Sequence, residues 1–387
     1  MATHWAIDLG TSNTTVCEDR SGRPHVVNLP ELVKVEPVTQ TPVIPSVLCI
    51  MDDEAQTVLI GQEAVTYNWD GQAEGFIQDF KRYLGTESQR TMARVGQRTF
   101  TAHDASVLFL RELIRTLEDQ FGEEVTDVTI STPSGFFETY RAELRQIVRR
   151  LKHPSWWGRF WARLMRRTGT IQFRTVDEPV AAALGYGVDI GWPTTLVAFD
   201  FGGGSMEAAV VRSHASEVVE AGRADVLAKQ AVQIGGGDVD RRILEEFLPT
   251  ALHDWPEWDV ALHWEAERVK LLASAGSEGT FTFRNENYGE LDYAGLQQLL
   301  ADMGLYDRIR ELLEALLDEL RERHGVQPDE IDDVILEGGS TLLPEVRNVV
   351  GDVLGREKVR EWLPFEAVAR GACVFARGAR VEDFIYH

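Results

Sequence analysis

Two short stretches carry aspartate and glycine in the same order. In "WAIDLGTSNTTVCED", residues 5 to 19, an apolar run ends at Asp8, turns through Gly10, Thr11, Ser12 and Asn13, and resumes as a second apolar run. In "VAFDFGGGSMEAAVV", residues 197 to 211, the aspartate is Asp200 and the turn is Gly202, Gly203, Gly204 and Ser205. Bare amides and short hydroxyls are the groups that cradle phosphate oxygens, and glycine lets backbone approach a ligand closely. The carboxylates of Asp8 and Asp200 would repel phosphate. They make chemical sense around a Mg2+ ion held through its waters, since that ion gives up water reluctantly. A third turn, Gly338, Gly339 and Ser340, follows the apolar run "DDVILE". One such turn is ordinary; two matching hairpins plus this third turn read as a nucleotide-phosphate site. Neither G-x-x-x-x-G-K nor G-x-G-x-x-G occurs, which excludes the P-loop and Rossmann arrangements.

The elements around these turns alternate. Strand patterns fill the first fifty residues ("AIDLG", "TTVCED", "HVVNL", "SVLCIM"), punctuated by Gly22, Pro24, Pro42 and Pro45. Residues 104 to 121 have helical period, with Asp104 expected at the N-cap. "DVTISTP" and "TIQFRTV" read as strands, "FETYRAELRQIVRRL" as a helix, and "EPVAAALGYG" as a helix ending at glycine. The pattern restarts at 194 with strand, glycine turn and strand, then runs through several helices, the strand of "DDVILEGGS" and a final helix, "FEAVARGACVFARGA". Two halves that begin alike indicate duplicated α/β lobes, with a ligand cleft between them.

Composition excludes other classes. The 387 residues, 44% hydrophobic and 26% charged, describe an ordered globular chain with more than one core. A net charge of −23 argues against general binding to nucleic acid or to an anionic membrane. Cys17, Cys49 and Cys373 are few, odd in number and far apart, so buried thiols in a reducing cytoplasm are expected. No signal-peptide pattern and no membrane-length apolar run is present. The histidines form no spaced metal pair, and His253 and His263 are expected on the surface.

The order "AIDLGTSNTT", "FKRYLG", "DEPVAAALGYG", "FDFGGGSMEAAVV", "IGGGDVD", "ILEGGSTLLPEV" and "EAVARGA" resembles the nucleotide-binding domain of the seventy-kilodalton heat-shock chaperones, within the actin, sugar-kinase and chaperone superfamily. The resemblance covers nearly the whole chain. It implies an α/β, actin-like ATPase fold of two duplicated ribonuclease-H-like lobes around a central nucleotide cleft, with ATP or ADP and Mg2+ as cofactors. Lobe I would span 1–184, with 366–387 returning to it; lobe II would span 185–365, with an α/β subdomain at about 229–305. Asp8 and Asp200 would hold the hydrated metal, with Glu178 near its waters. Thr11, Ser12 and Ser205 would face the phosphates, and Lys81 would place the attacking water. Gly235, Gly236 and Gly237 resemble the glycine turn beside the phosphates and ribose. Glu267, Lys270 and Ser274, on one helical face, match ribose and adenine contacts, together with Gly338, Gly339 and Ser340. Phosphoryl transfer is mostly positioning and electrostatics, so one lysine and one metal suffice.

The departures are specific. Leu271 and Leu342 stand where relatives flank adenine with arginines, and the second-hairpin aspartate is Glu207. Pro133, Arg141 and Arg174 match the family's proline switch, arginine relay and linker reader, which implies a J-domain cochaperone and a nucleotide exchange factor as partners. The substrate-binding domain is expected to be absent, since the chain stops at "EDFIYH" without a linker. Residues 149–170 form a basic, tryptophan-rich insertion, with seven Lys and Arg from 149 to 167 and no acid. It reads as a helix packed on its own lobe, a docking surface for a protein partner or acidic tail, or a membrane-interface helix. The leading expectation is a monomeric, slow, Mg-dependent ATPase working as a switch. Its alternatives are an actin-like filament former and a nucleotide sensor without turnover.

Overall fold

The computed structural model describes residues 3–20, 23–36, 39–69, 71–133, 137–151, 171–190, 194–214, 223–248, 260–360 and 363–378. Strands β1 (Trp5–Leu9), β2 (Asn13–Arg20) and β3 (Arg23–Val26) form an antiparallel meander. On the other side of β1 lie β4 (Asp127–Thr132) and β5 (Gln172–Asp177), both parallel to it. The second half repeats this plan. The strands β6 (Thr194–Phe201), β7 (Met206–His214) and β8 (Arg223–Val232) form the meander, and β9 (Asp333–Glu337) and β10 (Val359–Arg360) add in parallel beside β6. Strand order and direction thus match between the sheets, the signature of a duplicated unit.

The central strands read as apolar runs because both their faces are covered. β1 is buried except at Asp8, β6 except at Asp200, and β4, flanked on both edges, is buried throughout. The helices doing the covering include α1 (Ala102–Phe121) and α2 (Phe137–Leu151) on the first sheet. Between the sheets run α3 (Glu178–Ile190) and, after α4 (Gly236–Phe247) and α5 (Val260–Ser274) of the second lobe, α6 (Ala367–Gly378). α3 and α6 meet backbone to backbone: a Cβ on Gly371 would stand 1.5 Å from the carbonyl oxygen of Ala181. Their shared core is small, with Ala181, Ala182, Ala183, Ala369 and Ala372 all buried. Cys17 and Cys373 adjoin one another in this layer, and all three cysteines are buried free thiols.

Two expectations need correction. Asp104 is not the N-cap of α1. Thr101 is, and Asp104 completes a reciprocal capping box from the third helical position. Nor does α3 end at glycine: it passes Gly185 and Gly187 to Ile190. Packing against α6 outweighs glycine's roughly 1 kcal/mol helix penalty. Most of the basic insertion, residues 152–170, and the C-terminal "EDFIYH" lie outside the described residues, as does His253.

Candidate functional site

Asp8 and Asp200 close their strands at facing positions of the two sheets, and the turns behind them interlock. A Cβ on Gly203 would lie 2.0 Å from the Ser12 hydroxyl oxygen, and one on Gly204 would lie 3.0 Å from that of Thr11. A side chain at Gly203 would displace the Ser12 hydroxyl, and one at Gly204 would press on Thr11, so glycine suits this close approach. Among the described residues, no partner holds the N–H of Thr11, Ser12, Gly203 or Gly204, which leaves four amide donors at the two turns. A cavity of about 90 Å³ lies there, lined by both turns (including Gly10, Asn13, Gly202 and Ser205) and by Asp8, Lys81, Glu178, Asp200 and Glu337.

Lys81 sits on a single 3-10 turn, Phe80–Tyr83, and reaches Glu178 Oε1 at 2.9 Å; the two side chains are 10% and 7% exposed. Gly85 makes this possible. At φ +76° it lets the loop rest on α2, where a Cβ would stand 2.7 Å from the backbone nitrogen of Tyr140. Burial alone would favour loss of the Lys81 proton, but Glu178, Tyr140 and Asp8 outweigh it and hold the pKa well above the ordinary value. The half-buried Asp8 is pushed up to about 6, first by burial and then by Glu178, against Lys81 and a 2.6 Å hydrogen bond from the Ser131 hydroxyl. Asp200 is raised well above its ordinary value by burial, then by Glu178, Glu207 and Asp8.

Glu337 was not anticipated. It stands opposite Asp200 in the β6–β9 register, is 1% exposed, and neither carboxyl oxygen has a hydrogen-bond partner among the described residues. Burial, then Asp200, Asp8 and Glu178, push its pKa well up. One signal was available: like Asp8 and Asp200, it is an acid ending an apolar strand just before a glycine turn. Four carboxylates therefore share one ammonium. That excess of negative charge, with orphaned oxygens, fits a cation. Among the described residues no group of three His, Cys, Asp or Glu is placed to hold a metal ion directly.

The other glycine turns brace the cleft. Gly338, at φ +77°, presses on Asp200, where a Cβ would be 2.4 Å from Oδ1, and the Ser340 hydroxyl donates to the carbonyl of Gly202 at 2.9 Å. Gly339 lies against the Phe365 ring. Gly235, Gly236 and Gly237 do adjoin the phosphate turns, but their amides are engaged. Gly236 and Gly237 donate to the carbonyls of Gly202 and Gly203, each at 2.9 Å, and Gly235 donates to Asp238.

On α5, Lys270 binds Asp240 at 2.7 Å and the Gly236 carbonyl at 3.1 Å, while the Ser274 hydroxyl donates to the carbonyl of Lys270. Glu267 faces Lys34 at 4.0 Å, which holds its carboxyl below the ordinary range. With Thr11, Ser12 and Lys34, Glu267 lines a second cavity of about 240 Å³. His263 is there too, half-buried beside Asp240 rather than on the surface. Leu271 is 37% exposed, and Leu342 is half-buried.

A third cavity, of about 170 Å³, opens from the phosphate turns past Lys81 to Pro133, Tyr140 and Glu207. Farther out, Arg141 donates to the Thr175 hydroxyl at 2.7 Å. Arg174 grips both oxygens of Asp127 and donates to the carbonyl of Ala376 at 2.8 Å, tying β5 to β4 and to α6.

Two sheets of one strand order, each presenting an acid-glycine hairpin to a shared cleft, define the class: this is the actin-like ATPase fold of duplicated lobes. Within that class the chain belongs to the Hsp70 family, whose model, described as Hsp70 protein, matches residues 165–385. The chain is similar to the chaperone protein DnaK of Thermus thermophilus, at 29% identity over 411 residues, covering 97% of this chain and 61% of the relative. It is similar to that of Deinococcus proteolyticus at 27% over 414 residues, covering 97% and 59%, and to that of Trichormus variabilis at 28% over 408 residues, covering 96% and 54%. The chain therefore spans between 54% and 61% of the length of these relatives. Among the described residues no helix is long and apolar enough to cross a membrane.

Proposed function

We propose that this chain is an ATP-binding, slowly hydrolysing switch. The observation that carries the reading is the Lys81–Glu178 pair, set between the acids of two interlocked glycine hairpins that belong to different sheets. The free amides of Thr11, Ser12, Gly203 and Gly204 and the hydroxyls of Thr11, Ser12 and Ser205 would receive phosphate oxygens. Asp8 and Asp200 would hold Mg2+ through water, with Glu178 and Glu337 adding negative charge around it. When bound, the ion would neutralise phosphate charge and polarise the bond to be broken. Lys81, held charged and fixed by Glu178, would orient the attacking water and offset charge on the transferring group. Glu267, Lys270 and Ser274 would face the nucleoside, with Gly235, Gly236, Gly237, Gly338, Gly339 and Ser340 shaping the floor.

Because a nucleotide would touch both hairpins, it would bind the closed arrangement of the lobes better than an open one; that difference in affinity is what drives a switch. The lobes would be 1–184 with 366–387, and 185–365 with a subdomain at about 229–305. A J-domain cochaperone and an exchange factor, in a cytoplasmic setting, accord with the kinship to DnaK. Leu271 and Leu342 give up cation–π contacts of about 0.5–2 kcal/mol each, so nucleotide affinity should be below that of relatives with arginine there.

Single-turnover hydrolysis of ATP with Mg2+, comparing the wild type with Lys81→Ala, tests the reading. Slow turnover abolished by the substitution, with nucleotide still bound, supports it. Binding without turnover in both proteins would replace it with a nucleotide sensor.

A further inference from the structure

We infer that His263 of one lobe and Asp79 of the other are positioning residues for Lys81: protonated His263 holds the Asp79 carboxylate across the cleft, and with it the single turn that carries Lys81. This rests on the nucleotide reading and adds a pH-dependent control to it. Asp79 is the residue from which that turn, Phe80–Tyr83, springs, and the Arg82 amide donates to its carbonyl at 3.1 Å. Its φ is +57°, a conformation uncommon outside glycine and tolerated best by residues such as Asp and Asn. Such a backbone persists only where its surroundings fix it, and here part of those surroundings belongs to the second lobe.

Three contacts already join the two sides. Phe76 meets Trp264, the neighbour of His263, edge to face at 5.4 Å. Arg82 faces Asp238 at 3.7 Å, and Lys34 faces Glu267 at 4.0 Å. The turn is therefore tied to the second lobe on either side of Asp79. Asp79, His263 and Glu267 line the cavity of about 240 Å³ between these contacts.

His263 faces three carboxylates: Asp240 of α4 at 3.9 Å, Glu267 one turn along its own helix, and Asp79. Two of them have cations of their own, since Lys270 binds Asp240 at 2.7 Å and Lys34 faces Glu267. Asp79 belongs to neither pair. Burial pushes its carboxyl above the ordinary range; among the charges around it His263 opposes this most, ahead of Arg82 and Arg241, while Glu267 adds to it. Histidine changes charge between pH 5 and 8, so the attraction across the cleft is present in mildly acidic solution and lost as pH rises through neutrality. It is lost again in stronger acid, where Asp79 itself takes up a proton.

The test has two arms. In the first, urea unfolding of the metal-free and nucleotide-free full chain compares wild type, His263→Gln, Asp79→Asn and the double variant as a cycle; asparagine keeps the backbone conformation that position 79 requires. Expected is a coupling of about fivefold in the folding equilibrium constant at pH 6, equivalent to about 1 kcal/mol, and none at pH 8. In the second, single-turnover hydrolysis of ATP with Mg2+ should be about fivefold slower in His263→Gln than in wild type at pH 6 and equal at pH 8. His263→Lys, charged at both values, should match wild type at pH 6 and exceed it at pH 8. No coupling at pH 6, equal coupling at both pH values, or coupling of His263 to Asp240 in place of Asp79 in a second cycle with Asp240→Asn would each overturn the inference. So would a hydrolysing wild type whose rate does not respond to His263→Gln at pH 6. A wild type that neither binds nor hydrolyses ATP would overturn the nucleotide reading and the positioning of Lys81 with it. The unfolding cycle is measured without nucleotide, so the two failures are told apart.

Discussion

Replacing Lys81 by methionine keeps most of the side-chain volume and removes the only cation among the described residues lining the metal-and-phosphate cavity. Its 2.9 Å contact with Glu178 is almost dry on both sides, and breaking such a pair from one end costs about 3–5 kcal/mol because a buried charge is left behind. Protonation sets a ceiling on that cost. A carboxylate of the cluster can bind a proton instead, and since an ordinary glutamate titrates near about 4.3, neutralising it costs at most about 3.7 kcal/mol at pH 7 and about 1 kcal/mol at pH 5. Lys81→Met should therefore lose about 3 kcal/mol at pH 7 and about 1 at pH 5. Adding Glu178→Gln should recover most of the loss at pH 7, because the stranded charge is then gone. The assay is urea unfolding of the metal-free and nucleotide-free proteins, wild type, both single variants and the double, at the two pH values. An equal loss at pH 5 and pH 7, or a double variant less stable than Lys81→Met, would refute the claim that the cluster is held by this one ammonium.

Gly371→Ala should destabilise by about 3 kcal/mol or more, since the new methyl falls 1.5 Å from the Ala181 carbonyl and helix backbones cannot yield as flexible side chains do; helix propensity alone predicts the opposite sign, so a melting temperature that holds or rises would count against the observed crossing. With Asp8 raised from 3.8 to about 6, a divalent cation must displace a proton below that pH, so calorimetric Mg2+ affinity should climb from pH 5 to 7 and then level off, whereas a flat profile would exclude Asp8. The same shift means that Asp8 favours the metal-free fold at low pH and that this contribution is lost as pH rises from about 4 through 6. Glu337→Leu breaks no hydrogen bond and relieves an unpaired buried carboxyl, so the metal-free protein should gain about 1–3 kcal/mol while binding Mg2+ less tightly; a thermal melt showing lost stability would mean the carboxyl is bonded after all.

Much of the site is readable in the chain because its decisive features are local. Acid, glycine and hydroxyl lie within a few residues of one another in each hairpin, and the apolar runs before Asp8 and Asp200 are long enough to mark strands whatever surrounds them. The repeat of that pattern at 194 foretells two like lobes. Strand β8 is harder to see: as an edge strand it is mostly half-buried, and its sequence, RADVLAKQAV, lacks a clean alternation. The cap of α1 was misjudged by one turn because Thr101 and Asp104 are both good capping residues, and only the backbone decides which one lies outside the helix.

The sequence by itself thus determined the phosphate turns, the acids that end their strands, and the duplication, all set by short-range backbone chemistry. Tertiary structure alone decided which charges meet. Lys81 finds Glu178 from 97 residues away, Glu337 joins Asp200 only because β9 lies beside β6, and the loop carrying Lys81 meets Tyr140 where Gly85 packs on α2. It also put Cys17 beside Cys373 and spent the amides of Gly236 and Gly237 on the neighbouring hairpin. Such pairings follow from strand order, helix crossing and close backbone approach, which depend on the packing of the whole chain and are not encoded in any one stretch of it.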